Sequence, residues 1–472
     1  MTALTQPTRV VGSRSTRRWL ALGILALAQF LVVLDASIVN IALPVLGGEL
    51  GMDTLALSWV ITAYVLAFGG LLLLGGRLAD RYGHRRVFLI GTAGFVIASA
   101  LAGLAISSEM LLAARALQGA SAALLAPSAL ALLTVLFPDD RERTKALGVW
   151  GAVAGIGSAA GVLLGGVLTG SLGWPSVFFV NVPVGAVVLI AIPLLITRDT
   201  VRVSGRLDAA GAITITASLV ALVGALSAVE QLGFIHPLPI ALFAVALALG
   251  AAFIVVERHS AEPLLPLSVF RNRDLALGNI VMLLAGAAMV ALFFALSVYM
   301  QAALGYDALT TGLTQLPLAG ALVLIAGAVP ALIARAGTRP VLLASLLVLA
   351  AGLVWLAFAP SDAVFVAHLL APTLLIGVGL GGAFVATTQL AVQGVEGGEA
   401  GLAGGLVNTS QQIGGAVGLA VLGTIAGLRT SALEAAGASS ADALTGGFAW
   451  LFLSAAALTV IAALIVALWR RA

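Results

Sequence analysis

Between two apolar runs free of Asp, Glu, Lys and Arg, residues 54–76 and 87–108, the sequence reads Gly76-Arg77-Leu78-Ala79-Asp80-Arg81-Tyr82-Gly83-His84-Arg85-Arg86. Each flanking run is long enough to cross a ~30 Å hydrocarbon core as a helix, which takes about 20 residues. The short segment joining them carries four arginines. Loops rich in Lys and Arg stay on the cytoplasmic side, so this hairpin sets the orientation of the chain around it.

Working outward, further uncharged runs cover 116–138, 146–197, 209–229, 231–256, 275–306, 308–334, 340–361, 363–395, 400–428 and 443–469. The run 146–197 is too long for one helix, and Gly173-Trp174-Pro175 reads as a turn that divides it. A first span from about Trp19 to Pro44, interrupted by Asp35, brings the total to fourteen. With the N-terminus inside, 21 of the 23 basic residues fall in cytoplasmic segments; Arg429 falls outside and Arg115 within a span. One miscounted helix would invert every later loop, so this asymmetry predicts an even helix count and two cytoplasmic termini. The basic N-terminus followed by about 25 apolar residues could be read as a signal peptide, but its length and the spans that follow favour a retained first helix.

Composition agrees. Of 472 residues, 61% are apolar and 9% charged, against roughly 25% charged in soluble domains, which excludes a soluble globule. Long apolar runs also exclude an outer-membrane barrel, whose strands alternate. There is no cysteine, hence no disulfide and no thiolate chemistry. The net charge of +3 resides in the inner loops and implies no nucleic-acid partner. Twenty-two of the 23 basic residues are arginine, which points to a GC-rich genome and a bacterial source.

A shift of 257 residues superposes Gly148, Gly157, Gly161, Gly166 and Gly170 on Gly405, Gly414, Gly418, Gly423 and Gly427, and a shift of 254 superposes Arg81, Gly83 and Arg85 on Arg335, Gly337 and Arg339. Two matches at nearly one offset indicate a duplication with two helices inserted between the copies. The expected layout is all-α with fourteen spans arranged 6 + 2 + 6: an N-terminal tail (1–18), a six-helix bundle (19–196), a linker (197–208), two additional helices (209–257), a second linker (258–274) and a second six-helix bundle (275–472).

Asp35 and Arg115 are the ionisable side chains placed deep in the bilayer, where such groups are costly and functional by default. Counting ~1.5 Å per residue puts both at a similar depth below the outer face. The functional reading is that Asp35 takes up a proton and Arg115 sets when it can; the plainer readings are a static ion pair or two side chains snorkelling to the interface. Gly157, Gly161 and Gly165 share one helix face and admit a close neighbour. Neutral polar groups in the spans, Gln29, Asn40, Tyr64, Gln118, Asn181, Tyr299, Gln301, Asn408 and Gln411, either bond between helices or line a substrate cavity.

A nucleotide-driven pump needs Gly-x4-Gly-Lys, and the one lysine, Lys145, follows Arg-Glu-Arg-Thr instead. The four histidines are scattered near span ends, so neither a catalytic cluster nor a metal site is expected. What remains is a secondary transporter with no cofactor, driven by an ion gradient.

The Gly76–Arg86 loop resembles the loop between helices 2 and 3 of the major facilitator superfamily, Gly-x-Leu-Ala-Asp-Arg-x-Gly-Arg-Arg, with His84 replacing a basic residue. Leu34-Asp35-Ala36-Ser37-Ile38-Val39-Asn40-Ile41-Ala42-Leu43-Pro44 resembles the helix 1 signature of the 14-helix drug:proton antiporter branch. Arg115-Ala116-Leu117-Gln118-Gly119 is similar to the superfamily's Arg-x-x-Gln-Gly. Gly157 to Gly166 is similar to the antiporter motif, with Val162 where proline is common. The resemblance implies a conformational latch at Gly76, Asp80, Arg81, Gly83 and Arg85, and a gating seam at Gly157, Gly161, Gly165 and Gly166. It also implies multidrug efflux by a monomer in the cell membrane, exchanging protons for lipophilic, cationic compounds. A lone acid favours a cation that competes with the proton for one carboxylate. Export of a single metabolite or antibiotic, or proton-coupled uptake, are the alternatives on the same scaffold.

Overall fold

The computed structural model describes residues 12–196, 208–260, 263–265, 267–393 and 400–469. Six basic residues read as cytoplasmic, Arg9, Arg198, Arg202, Arg206, Arg470 and Arg471, lie outside them, as do residues 1–11 of the tail and 197–207 of the first linker.

Every regular element among the described residues is helical: α1 (Gly12–Leu50), α2 (Thr54–Tyr82), α3 (His84–Gly103), α4 (Ser108–Leu136), α5 (Asp140–Leu172), α6 (Ser176–Phe179), α7 (Asn181–Leu195), α8 (Ala209–Leu232), α9 (Pro237–His259), α10 (Arg273–Val298), α11 (Ala308–Ala336), α12 (Thr338–Leu356), α13 (Leu370–Val392), α14 (Ala400–Ala435) and α15 (Ser440–Leu468), with short π-helical turns at Tyr299–Ala303 and Phe365–Leu369. The short α6 runs into α7 as one span, Ser176–Leu195. Among the described residues thirteen spans are long and apolar enough to cross a membrane, and α5 adds a shorter apolar stretch, Ile156–Leu172.

Local signals place the ends. Asp53, Ser107, Asp208 and Asp307 cap α2, α4, α8 and α11, each side chain accepting from a backbone N–H in the first turn. Gly83 and Gly337, the equivalent positions of the repeat, hold φ of 95° and 87° and end α2 and α11. Only glycine adopts such φ values without strain. The Gly173-Trp174-Pro175 turn separates α5 from α6. The first helix is longer than the Trp19–Pro44 expected: α1 starts at Gly12, passes Pro44 unbroken and runs to Leu50.

The basic segments gather at one end. Arg17 donates to the carbonyls of Leu194 and Leu195, Arg18 pairs with Glu142 at 3.3 Å, and Arg85 donates to Pro193 O. Arg77 donates to Pro263 O, and Arg339 donates to Trp469 O and Asp274.

Helices α1–α7 pack among themselves, as do α10–α15, and two seams join the groups. At one seam α5 meets α11; at the other α2 meets α14, with α8 lying across both through Thr216 to Gly70 O and Thr424 to Leu226 O. Trp59 of α2 also donates to Ser227 of α8. Helix α9 packs mainly on α8, and most of its surface is left for lipid.

Candidate functional site

The deep acid and the deep arginine meet. Arg115 Nη1 donates to Asp35 Oδ2 at 2.6 Å, with Asp35 0% and Arg115 1% exposed, which rules out snorkelling. On α4, Gln118 lies one turn beyond Arg115; it accepts from Arg115 Nη1 at 2.9 Å and donates to Asp35 Oδ1 at 3.0 Å. Asn181, the first residue of α7, donates to the same Oδ1 at 2.8 Å. Ser99 of α3 accepts from both amides. The other side of the guanidinium is held by Val60 O, at 3.0 Å from Nε, and lies 4.4 Å from the centre of the Tyr64 ring.

Three donors on one carboxylate describe an ionised acid. A carboxylate only accepts, and each of its oxygens is satisfied here by a donor. Two orphan atoms lie within the same network: Asn181 Oδ1 and the Tyr64 hydroxyl are buried without a partner. A proton on Asp35 would need an acceptor, and a half-turn of the Asn181 amide supplies one. That proton would leave the buried Arg115 guanidinium without its counter-charge.

Helix α1 connects this cluster to the contact between the two groups. A methyl added at Gly157 would meet Val33 at 3.2 Å, one at Gly161 would meet Ser37 at 2.6 Å, and one at Gly165 would meet Ile38 O at 2.8 Å. The glycine seam of α5 thus rests on the α1 turns that flank Asp35. Without a proline at Val162, α5 is continuous through the motif. In the second group, Gly414 and Gly418 of α14 abut Leu283 and Ala287 of α10 in the same manner. Gly166 turns away from α1 and lies against α11, where a methyl would meet Ala308 O at 2.8 Å, while one at Gly312 would meet Val162 O at 2.7 Å. Beside them Ile41, Val162 and Ala308 form a small buried cluster, and Gln301 Nε2 donates across the seam to Ile41 O at 3.0 Å. These contacts join the two groups of helices at this end. Further along α11, Gly320 and Gly327 have no atom within contact distance of where a methyl would sit.

The other sequence expectations divide. Tyr64, Gln118 and Asn181 are buried around Asp35 rather than exposed; Gln118 was marked by its motif beside Arg115, while nothing in a single sequence distinguishes Tyr64 and Asn181 from other neutral groups. Tyr299 donates to Pro360 O, and Asn40 Nδ2 donates back to Ala36 O within α1. Gln29, Asn408 and Gln411 are half-buried. A drug competing with the proton for the Asp35 carboxylate is also incompatible with this state, because Arg115, Gln118 and Asn181 enclose it. Ser99 had no signal beyond being a small polar residue in an apolar run.

In the Gly76–Arg86 loop, Asp80 is half exposed with His84 Nε2 3.8 Å away, and Arg81 stacks on Tyr82 at 5.5 Å. The close approach between α2 and α4 is made by Gly75, where a methyl would overlap Ala123 O, and not by Gly76, which has room for one.

The chain matches the Major Facilitator Superfamily over residues 25–419. It is 42% identical over 456 residues to the cephamycin export protein CmcT of Amycolatopsis lactamdurans, covering 95% of this chain and 93% of that one. It is 41% identical over 434 residues to the puromycin resistance protein pur8 of Streptomyces alboniger, covering 91% and 86%. The multidrug resistance protein Stp of Mycobacterium tuberculosis is 33% identical over 404 residues, covering 84% and 74%. Among solved structures, an auto inhibited POT family peptide transporter superposes with a TM-score of 0.69 at 16% identity, covering 97% of this chain and 98% of that one, a likeness of fold.

Proposed function

The chain belongs to the Major Facilitator Superfamily, and from that premise we propose that it is a proton-driven exporter of lipophilic or antibiotic-like compounds, cations among them. It would work by alternating access in the cytoplasmic membrane with both termini inside. The observation that carries this reading is the position of the ionised Asp35 on α1. Two turns further along that helix, the Ile41 carbonyl accepts the hydrogen bond that joins the two groups of helices. The α5 glycine seam bears on the turns between.

Protonating Asp35 removes the charge that holds α1 to Arg115 and Gln118 of α4 and to Asn181 of α7. Arg115 keeps Val60 O and the Tyr64 ring as partners, so α1 is freed while α4 and α2 stay joined. A shift of α1 then disturbs Ile41 O against Gln301 and the α5–α11 crossing, the contacts that join the two groups at this end. Exchange arises because proton and drug favour different positions of α1, without contact between them. The energy source is the gradient: one charge crossing ~100 mV supplies about 2.3 kcal/mol. The names borne by two relatives above 40% identity favour a narrower second reading, export of one antibiotic.

The test uses everted membrane vesicles, energised so that they acidify internally. Adding ethidium or a quaternary ammonium compound should dissipate the gradient only where the protein is present. If dissipation follows one antibiotic class and no lipophilic cation, the narrow reading stands; proton-driven uptake of a polar metabolite into whole cells would contradict both.

A further inference from the structure

A pair of buried acids lies away from the Asp35 cluster, at the end of the molecule that holds the Gly76–Arg86 loop. Asp208 and Glu257 belong to the two additional helices, the one capping the start of α8 and the other in the last turn of α9. They are 8% and 4% exposed. One oxygen of each is accounted for: Asp208 Oδ1 accepts from Gly211 N at 2.7 Å, and Glu257 Oε2 accepts from Leu265 N at 3.1 Å. The other oxygen of each, Asp208 Oδ2 and Glu257 Oε1, is buried without any partner. Both converge on Gly211, where an added methyl would meet Glu257 Oε1 at 2.8 Å and Asp208 Oδ2 at 3.0 Å. The two oxygens are therefore separated by no more than the sum of those distances.

We propose that Asp208 and Glu257 form a second proton-binding site, in which two buried carboxyl groups hold one proton between them. Two carboxylates facing each other out of water repel and leave both free oxygens unsatisfied. One proton answers both problems: the protonated acid donates through its O–H, and the free oxygen of its neighbour accepts.

The charged groups around it are few among the described residues. Arg77 approaches from α2 and donates to Pro263 O in the linker to α10. Arg258 and His259 follow Glu257 on α9 but are exposed, and the His259 ring is bonded to Val255 O. Loss of the proton would leave two negative charges beside Arg77, the residue tying the Gly76–Arg86 loop to the linker, and would draw its guanidinium from Pro263 O. Protonation at this site thus controls a contact between α2 and the segment leading into the second group of helices. The inference rests on this geometry and not on the export reading.

Infrared difference spectroscopy on the full-length protein in lipid tests it directly. At neutral pH the wild type should show the C=O band of a buried protonated carboxyl, and that band should vanish in Glu257→Gln and in Asp208→Asn, whose amides replace the shared proton as donor. Absence of the band from the wild type overturns the proposal whether or not the variants fold. So does a band retained in both variants. A band that appears only when sodium is replaced by choline would also overturn it, by showing that a metal cation occupies the pair.

Discussion

Removing either member of the Asp35–Arg115 pair leaves a full charge buried with no counter-charge, whereas removing both leaves none. Breaking a buried pair from one side costs about 3–5 kcal/mol, because the surviving ion keeps its desolvation penalty without its partner. In Asp35→Asn the new amide faces Arg115 Nη1, which now meets at best a neutral acceptor, and Gln118 and Asn181 each lose a charged acceptor for a neutral one. In Arg115→Met the carboxylate keeps the two amides but loses the 2.6 Å contact. The double variant should therefore be more stable than at least one of the single variants, with a coupling of roughly 3 kcal/mol in a double-mutant cycle. The assay is reversible unfolding of the purified protein in mixed micelles, with substrate-dependent proton movement recorded on the same preparations. Both variants lacking Asp35 should be inactive in proton movement, however stable they are. Penalties that simply add would refute the reasoning, since additivity means that the carboxylate is not ionised against Arg115.

Gly166→Leu should prop apart the α5–α11 crossing, because even a methyl there meets Ala308 O at 2.8 Å; spin labels on the two helices should report a longer mean distance than in the wild type. Gln301→Ala removes one neutral hydrogen bond between the groups of helices, worth about 1 kcal/mol, and the same labels should show a roughly fivefold shift away from the joined population. Asp307 caps α11 outside the spans, and its hydrogen bonds to Thr310 hold its carboxyl below the usual carboxylate range. That contribution is present above the ordinary carboxylate pKa and lost as pH falls through the depressed value, so the difference in unfolding temperature between wild type and Asp307→Ala should shrink in acid.

The helix count, the hairpin loop and the turn at Gly173 were legible because they depend on local properties: apolar length, charge bias and a residue that tolerates positive φ. The pairing of Asp35 with Arg115 was half legible. Depth along two helices put them level, but that α1 and α4 are neighbours is a tertiary fact. Asn181 was indistinguishable from Gln29 or Gln411 for the same reason, whereas Gln118 had a motif beside Arg115 to mark it but nothing to place it against Asp35. The split of the glycines, with Gly157, Gly161 and Gly165 on α1 and Gly166 on α11, follows from helical phase. Its consequence, that neighbouring residues serve different contacts, needed the packing. Gly75 and Glu257 were passed over altogether, the first because Gly76 fits a familiar motif better and the second because an acid at a span end reads as an interfacial residue.

The most direct measurement uses the purified protein in proteoliposomes without any nucleotide, under an imposed pH gradient. Labelled lipophilic cations or a relevant antibiotic should accumulate against their own gradient on the acidic side, as protons leave. The accumulation should collapse on adding a protonophore and be absent with Asp35→Asn. Accumulation that survives the protonophore, or persists without the Asp35 carboxylate, would contradict the account.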